Sequence, residues 1–440
     1  MKTISLVPPR GTMQSLLSFG MIIMITNQKY KGLERMEQYD VIVVGAGPVG
    51  LTAGLALQNK GISCAVIEAE EKDAPRPGSR AIFLHNATLK HLEEISPGLG
   101  FDIAADGVIW PIKRTFYKGK EVYVRNYGKT DNTSREKLPH FSSLHQHEIE
   151  KHIYKACEKA GVKFIYGNPV ESLDIRADGV TLHTKNRDYE AKYVIGADGA
   201  RSVVRRDAGI EFEGPRTKDT FLVIDIEEDE ENPLPIERVF HYDHPAMGGR
   251  NVLYVPFKGG WRVDLQLLPE DDVEEWASLE GVKSWLPKVM DKKYADRITW
   301  VSSYRFHQVV ANAFTDEHRR ILLAGEAAHL FAPFGARGLN SGVPDAIIAI
   351  NGIEKALAAK DETTRREAID AAAKERRIAA KWNRDASTTA LRHIQGDSKE
   401  MEMKRELAAS LASIAPRLGR WLDEGPYGPK YGPPELTTKY

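Results

Sequence analysis

The residues with the clearest chemical content are Gly45-Ala46-Gly47-Pro48-Val49-Gly50. They follow the apolar run 41–44 and open a stretch with small residues at Ala53, Gly54 and Ala56. Glycines at this spacing let the backbone approach a pyrophosphate at the positive end of a helix. Glu68 stands 18 residues after Gly50, closing the next apolar run, "CAVIE". A carboxylate there accepts both hydroxyls of an adenosine ribose, and it disfavours a 2′-phosphate because two anions repel. The chemistry predicted is dinucleotide binding, with the dinucleotide itself left open.

Two later stretches narrow the choice. "YVIGADGARSVVRR" ends an apolar run at Gly196 and presents Asp198 and Gly199, then Arg201 and Ser202 at a helix start. "RILLAGEAAHLFAPFGARGLNSGVPDA", residues 320–346, ends its run at Gly325 and presents Glu326, His329, Pro333 and a glycine-rich turn. Taken alone, that last stretch reads as a surface loop. With the two companions it reads as a backbone cradle for a cofactor.

The elements that must hold these residues follow from periodicity. The β-branched run 41–44, the helix closed by Gly61 and "CAVIE" make a βαβ unit, so the sheet is parallel there. "TFYKGKEVYV" is a hairpin and "SLHQHEIEKHIYKACEKAG" a helix closed by Gly161. "ESLDIRADGVTLHT" turns at Asp178-Gly179. Residues 220–267 alternate like antiparallel strands, a second sheet suited to a substrate, and helices run from a start near Ser341 to about Leu422. The expected fold is α/β: a Rossmann-like dinucleotide-binding domain, an inserted antiparallel β-sheet substrate domain and a C-terminal helical region. The expected boundaries are 36–110, 140–215 and 300–355 for the first, 111–139 and 216–299 for the second, and 356–440 for the helices and tail. Residues 1–35 read as an extension outside the fold, with Met36 as the working start; their apolar run is too short to span a bilayer.

In this order the three stretches resemble the single-component, FAD-dependent aromatic hydroxylases of the p-hydroxybenzoate hydroxylase fold (group A flavoprotein monooxygenases). The resemblance covers residues 38–360. It implies that Gly45, Gly47, Pro48, Val49, Gly50 and Glu68 hold the ADP of FAD. Asp198 and Gly199 then lie where FAD and the reduced nicotinamide approach each other. Glu326 holds the ribityl side, and the backbone of Gly338, Leu339 and Asn340 faces the flavin. "GSRAIFLHNATL" and "LHQHEIEKHI" match family segments that contact FAD through Arg80 and Gln146. Pro333 lies in the loop above the flavin ring. His329, part of the third motif, reads as a neutral packing residue. The chain departs from the family pattern at Glu326, usually Asp, and at Ala336-Arg337, often Gly-Gln. "DAIIAINGI" also replaces the frequent Asn-Leu-x-Trp-Lys.

The reaction implied is hydroxylation of an aromatic, phenolic substrate with O2 and NADH or NADPH, through a C4a-hydroperoxyflavin. Candidates for activating the phenol are His241, Tyr242, His244, Arg262 and His307, with "VFHYDHPAMGGR" their densest cluster. Arg262 or Arg305 would fork a substrate carboxylate. The alternatives are an oxidoreductase of the same fold that reduces, epoxidises or halogenates a non-phenolic substrate, and an FAD-binding protein without turnover. No Trp-x-Trp pair supports a halogenase, and neither a second G-x-G-x-x-G nor a redox Cys pair supports a disulfide reductase.

Composition bounds the rest. With Lys+Arg 61 against Asp+Glu 62, neither nucleic acid nor a membrane surface is an expected partner. Two cysteines without a C-x-x-C argue against a disulfide framework and a metal site. The expectation is a cytoplasmic monomer or homodimer.

Overall fold

Two seven-stranded sheets organise the chain. The computed structural model describes residues 36–74, 83–128 and 131–429; the expected extension 1–35, Arg80 and the end of the tail lie outside the described residues. The first sheet is centred on Glu37–Val44, which pairs in parallel with Cys64–Ile67 on one side and Tyr189–Gly196 on the other. Val41, Ile42 and Val43 are fully buried, which is why their stretch is β-branched without alternation. Tyr189–Gly196 changes its outer neighbour along its length. Gly179–Thr184 runs antiparallel beside residues 189–191, then Ile321–Leu323 runs parallel beside residues 194–196. The carboxyl ends of three parallel strands, at Val44, Gly196 and Leu323, therefore lie side by side. Each of the three motifs begins at one of those ends.

The second sheet runs in the order Ile298–His307, Arg216–Glu227, Gly260–Gln266, Arg250–Phe257, Glu237–His244, Ile112–Tyr117, Lys120–Asn126. The expected antiparallel pattern holds except between Glu237–His244 and Ile112–Tyr117, which are parallel because the hairpin arrives from a distant part of the chain. The boundary expected at 299 shifts, since Ile298–His307 pairs with Arg216–Glu227 throughout and cannot leave the sheet before His307.

Period-two alternation gives this sheet two different faces. The outer face, with Leu222, Ile224, Val252 and Val263, packs on Trp285, Leu286 and Tyr294. The inner face, with Phe221, Phe240 and Tyr242, packs on Ala332 and Phe334 of the third motif. Behind the first sheet, Pro48–Asn59 packs against Gln146–Ala160 and Arg337–Ala358. Arg337–Ala358 starts four residues before the expected Ser341: Ala336, in the left-handed region at φ 53°, turns the chain directly into it. Glu362–Gln395, Lys399–Leu411 and Pro416–Glu424 complete the helical region. No described helix is long and apolar enough to cross a membrane.

Candidate active site

At the first motif the chain leaves its strand with Gly45 at φ 99°, and a β-carbon there would lie 2.5 Å from the Ala197 carbonyl oxygen. A β-carbon on Gly50 would collide with the Gly45 carbonyl. Gly47 differs, with nothing within 4 Å of its would-be β-carbon. It is the N-cap of Pro48–Asn59, which has Pro at its start and no side-chain cap. Two glycines thus close the turn, while the third leaves space in front of uncapped helix amides, the shape an anion needs. Glu68 borders this space, accepting hydrogen bonds from the Ala46 N–H at 2.7 Å and the Glu70 N–H at 3.1 Å.

At the second motif, Asp198 takes the Ser202 hydroxyl at 2.5 Å and the N–H groups of Val203 and Val204 at 2.8 and 3.1 Å. Burial raises its pKa despite these donors. Its carboxylate therefore builds the turn, and what it presents outward is the backbone around Gly199. Arg205, from the same turn, donates to the Ala327 carbonyl in the third motif at 3.1 Å.

The third motif is held from behind. Asp345, fully enclosed, receives the Gly325 N–H at 3.1 Å, His329 Nε2 at 2.6 Å and Arg376 Nε at 2.7 Å. Burial would raise its pKa, but His329 and Arg376 outweigh that and hold it below the usual carboxylate value. His329 is thus a buried structural partner. Asn340 also turns inward. Its amide donates to the Phe83 and Ala336 carbonyls at 2.9 and 2.6 Å, while its oxygen accepts the His85 N–H at 2.9 Å and the Thr88 hydroxyl at 2.6 Å. Pro333, Gly338 and Glu326 are exposed. Arg337, at a position where the chain departs from the family pattern, ties the loop to Asn383 and to the Tyr427 carbonyl at 2.9 and 3.0 Å.

The motifs touch one another: Gly45 lies against Ala197 and Asp198, and Gly325 and Gly342 lie against Val49. Residues 38–387 match the protein family described as FAD binding domain. The chain belongs to this FAD-binding family. The 3-(3-hydroxy-phenyl)propionate/3-hydroxycinnamic acid hydroxylase of Mycolicibacterium smegmatis is 28% identical over 408 residues, covering 89% of this chain and 67% of the relative. The Escherichia coli protein of the same name is 24% identical over 396 residues, covering 88% and 68%. The chain thus spans about two thirds of the length of these curated relatives. Among solved structures, p-nitrophenol 4-monooxygenase from Pseudomonas putida superposes with a TM-score of 0.71 at 24% identity, covering 90% of this chain and all of that one. Anhydrotetracycline hydroxylase from Streptomyces rimosus reaches 0.65 at 24% identity, covering 90% and 78%. The cofactor is FAD.

The remaining residues singled out in the sequence fall in different places around this FAD-binding frame. Gln146 starts its helix and donates to Glu150 at 2.8 Å. His241 does not join the site. It stacks on Phe116 at 4.5 Å and meets Tyr254 edge-on, on the outer face of the second sheet. Burial lowers its pKa to about 4. The reason is parity: Phe240 and Tyr242 point inward, so the residue between them points out. Arg305 is exposed on the outer side as well, since its neighbours Tyr304 and Phe306 face inward with Phe221. Tyr242 is inside but structural, its hydroxyl donating to the Leu422 carbonyl at 2.7 Å. Arg262 faces inward and is paired to Asp225, at 3.0 and 3.3 Å.

Three residues on or beside the inner face went unnoticed in the sequence: Arg238, Asp264 and His85. Burial lifts the Asp264 carboxyl to about 7, with Asp225 adding to the rise and Arg262 and Arg238 opposing it. Burial and then Arg337 lower His85 to about 4, and its ring is bonded to the Gly335 backbone in the third motif. The available signal was alternation. "ERVFHY" and "WRVDLQ" place Arg238 and Asp264 in phase with Phe240 and Arg262.

Proposed function

We propose that this protein is an FAD-dependent monooxygenase that uses NADH or NADPH and O2 to hydroxylate a phenolic substrate. The observation that carries the reading is one packing contact. The loop that bounds the FAD site, through Ala332 and Phe334, shares a buried cluster with Phe221 and Phe240 of the second sheet. A planar ring bound on that inner face lies beside the flavin and away from bulk water.

When bound, FAD would supply the redox and O2 chemistry; the chain's own residues supply position and field. The turn at Gly45, Gly47, Pro48, Val49 and Gly50 receives the pyrophosphate, and Glu68 the adenosine ribose. Gly199, on the turn built by Asp198, borders the cofactor. By the family resemblance, Glu326, Arg80 and Gln146 would hold it from the flavin side, with Pro333 in the loop above the ring. The first amides of Arg337–Ala358, around Gly338, Leu339 and Asn340, favour negative charge on the reduced ring. The names of the relatives, which act on hydroxylated phenylpropionate and cinnamate, support a phenolic substrate.

The test is aerobic turnover of the purified yellow protein with NADH or NADPH and a panel of phenols, scored by incorporation of labelled O2 into product. Oxygenated product is expected from at least one phenol. If phenols only accelerate peroxide release, or have no effect on nicotinamide oxidation, the hydroxylase reading falls.

A further inference from the structure

Lys399–Leu411 is apolar on two opposite faces. Ala408 and Ala409, with Ala412 just beyond the helix, pack into the buried cluster of Phe240 and Tyr242. Arg405, on the same side, is buried and pairs with Asp243 at 3.1 Å. That side anchors the helix on the second sheet. Met403, Leu407 and Leu411, four residues apart, fall on the other side, and Ile414 extends the row past the helix end. Met403, Leu407 and Ile414 are 72%, 61% and 79% exposed, the three most exposed large apolar side chains among the described residues. Single apolar residues on a surface are ordinary, but a continuous row on one helix face marks a contact surface.

The row reads alike from both ends. When a second copy of the helix lies alongside it, antiparallel about a twofold axis, Leu407 faces the second copy's Leu411 and Met403 its Ile414. The same register brings Glu400 to the second copy's Arg417. Glu400 is exposed, paired with Lys404 at 2.5 Å one turn along its own helix. Arg417 is exposed, and among the described residues no carboxylate pairs with it. Apolar row and end charges are thus self-complementary, as a symmetric contact between identical chains requires. The flanks disfavour a lipid surface, which takes a basic rim, because Glu400, Glu402 and Glu406 stand among Lys399 and Lys404.

We infer that this face is the contact between two copies of the chain, an antiparallel pair of Lys399–Leu411 helices closed at each end by Glu400 and Arg417. A single helix row falls short of the about 800 Å² per partner of a standard interface, so association in the micromolar range is expected. The contact stands apart from the hydroxylase reading. It steadies a helix whose other side grips the second sheet, where Glu406 accepts the Tyr117 hydroxyl at 3.0 Å and Arg405 holds Asp243.

The test is sedimentation velocity of the FAD-loaded protein, from well below to well above about 10 μM. Reversible dimerisation is expected. Leu407→Glu and Ile414→Glu should each weaken it about tenfold or more, with flavin content and melting temperature unchanged. Arg417→Glu should weaken it less, and adding Glu400→Arg should recover part of that loss. The register is read by mixing Leu407→Cys with Leu411→Cys protein under mild oxidation. The mixed disulfide should form in preference to either self-paired one, and the native Cys64 and Cys157 are buried. A protein that stays monomeric throughout overturns the contact. So does a dimer that both glutamate variants leave intact, or a preference for self-paired disulfides. If the glutamate variants fail to fold, the cysteine mixture decides. Two other occupants would also overturn it. Binding to phosphatidylserine vesicles that Leu407→Glu abolishes would give the face to a membrane. A chain begun at Met36 that dimerises where the full chain does not would give it to the apolar run 15–25.

Discussion

The two sheets make their sites in opposite ways. The first is apolar along its strands and does its chemistry at their ends, with backbone. Gly45, Gly47, Gly199 and Gly325 shape the turns, and the carboxylates of Asp198 and Asp345 serve their own loops. The second puts charge in mid-strand, on Lys113, Asp225, Arg238, Arg262 and Asp264, all facing inward among aromatic rings. A cofactor common to many enzymes needs only groups every residue possesses. Selection of one substrate needs side chains, and these must be buried to act. The first site therefore tolerates change in its neighbours but not in its glycines, and the second the reverse.

The largest expected effect tests the backbone half of that contrast. Gly50→Val drives a side chain into the Gly45 carbonyl. It should lower both stability and flavin content, the latter by about tenfold or more, on the order of 1.4 kcal/mol of binding. Gly47→Ala meets no protein atom within 4 Å, so it should lose flavin at an unchanged melting temperature. Flavin absorbance per protein, with thermal unfolding of the apoprotein, separates the two; a Gly47→Ala protein with full flavin would contradict the open-space reading.

Next comes the buried acid behind the third motif. Asp345→Ala withdraws the carboxylate shared by Gly325, His329 and Arg376, and should cost about 3–5 kcal/mol in urea unfolding. A loss below about 1 kcal/mol would mean the network is dispensable.

Asp264→Asn probes the second sheet through pH. The folded protein keeps the Asp264 proton up to about pH 7, whereas the unfolded chain releases it near about 3.9. Between these values the folded state binds more protons, so stability falls as pH rises and the penalty is complete above about pH 7. The asparagine variant should be free of this loss, gaining about 2–4 kcal/mol on wild type in alkaline buffer and little near pH 4. Parallel stability–pH curves for the two proteins would refute the raised pKa.

The smallest effect is the most pointed. His241→Gln lies on the outer face, so substrate affinity and turnover should stay within about twofold of wild type. A large change in kcat with normal stability would return His241 to the chemistry.

The cofactor side was legible in the sequence because its signals are local. Each motif is a strand end followed within a few residues by the turn it needs, and Gly45, Gly50 and Gly161 stand where backbone geometry demands them. His241 shows the limit. Its chemistry was attractive, but one step of strand phase put it behind the sheet, while its neighbour-but-two Arg238 passed unnoticed. The helix start displaced from Ser341 to Arg337 is a smaller case, since a left-handed Ala336 has no compositional signature.

Residue order alone carried the class of fold, the three motif turns at the strand ends and the succession of the two sheets, because turns and periodicity act over neighbours in the chain. Which polar side chains share the inner face required the folded molecule. Lys113, Arg238, Arg262 and Asp264 come from three strands spread over more than a third of the sequence. Only register, twist and burial bring them to one floor.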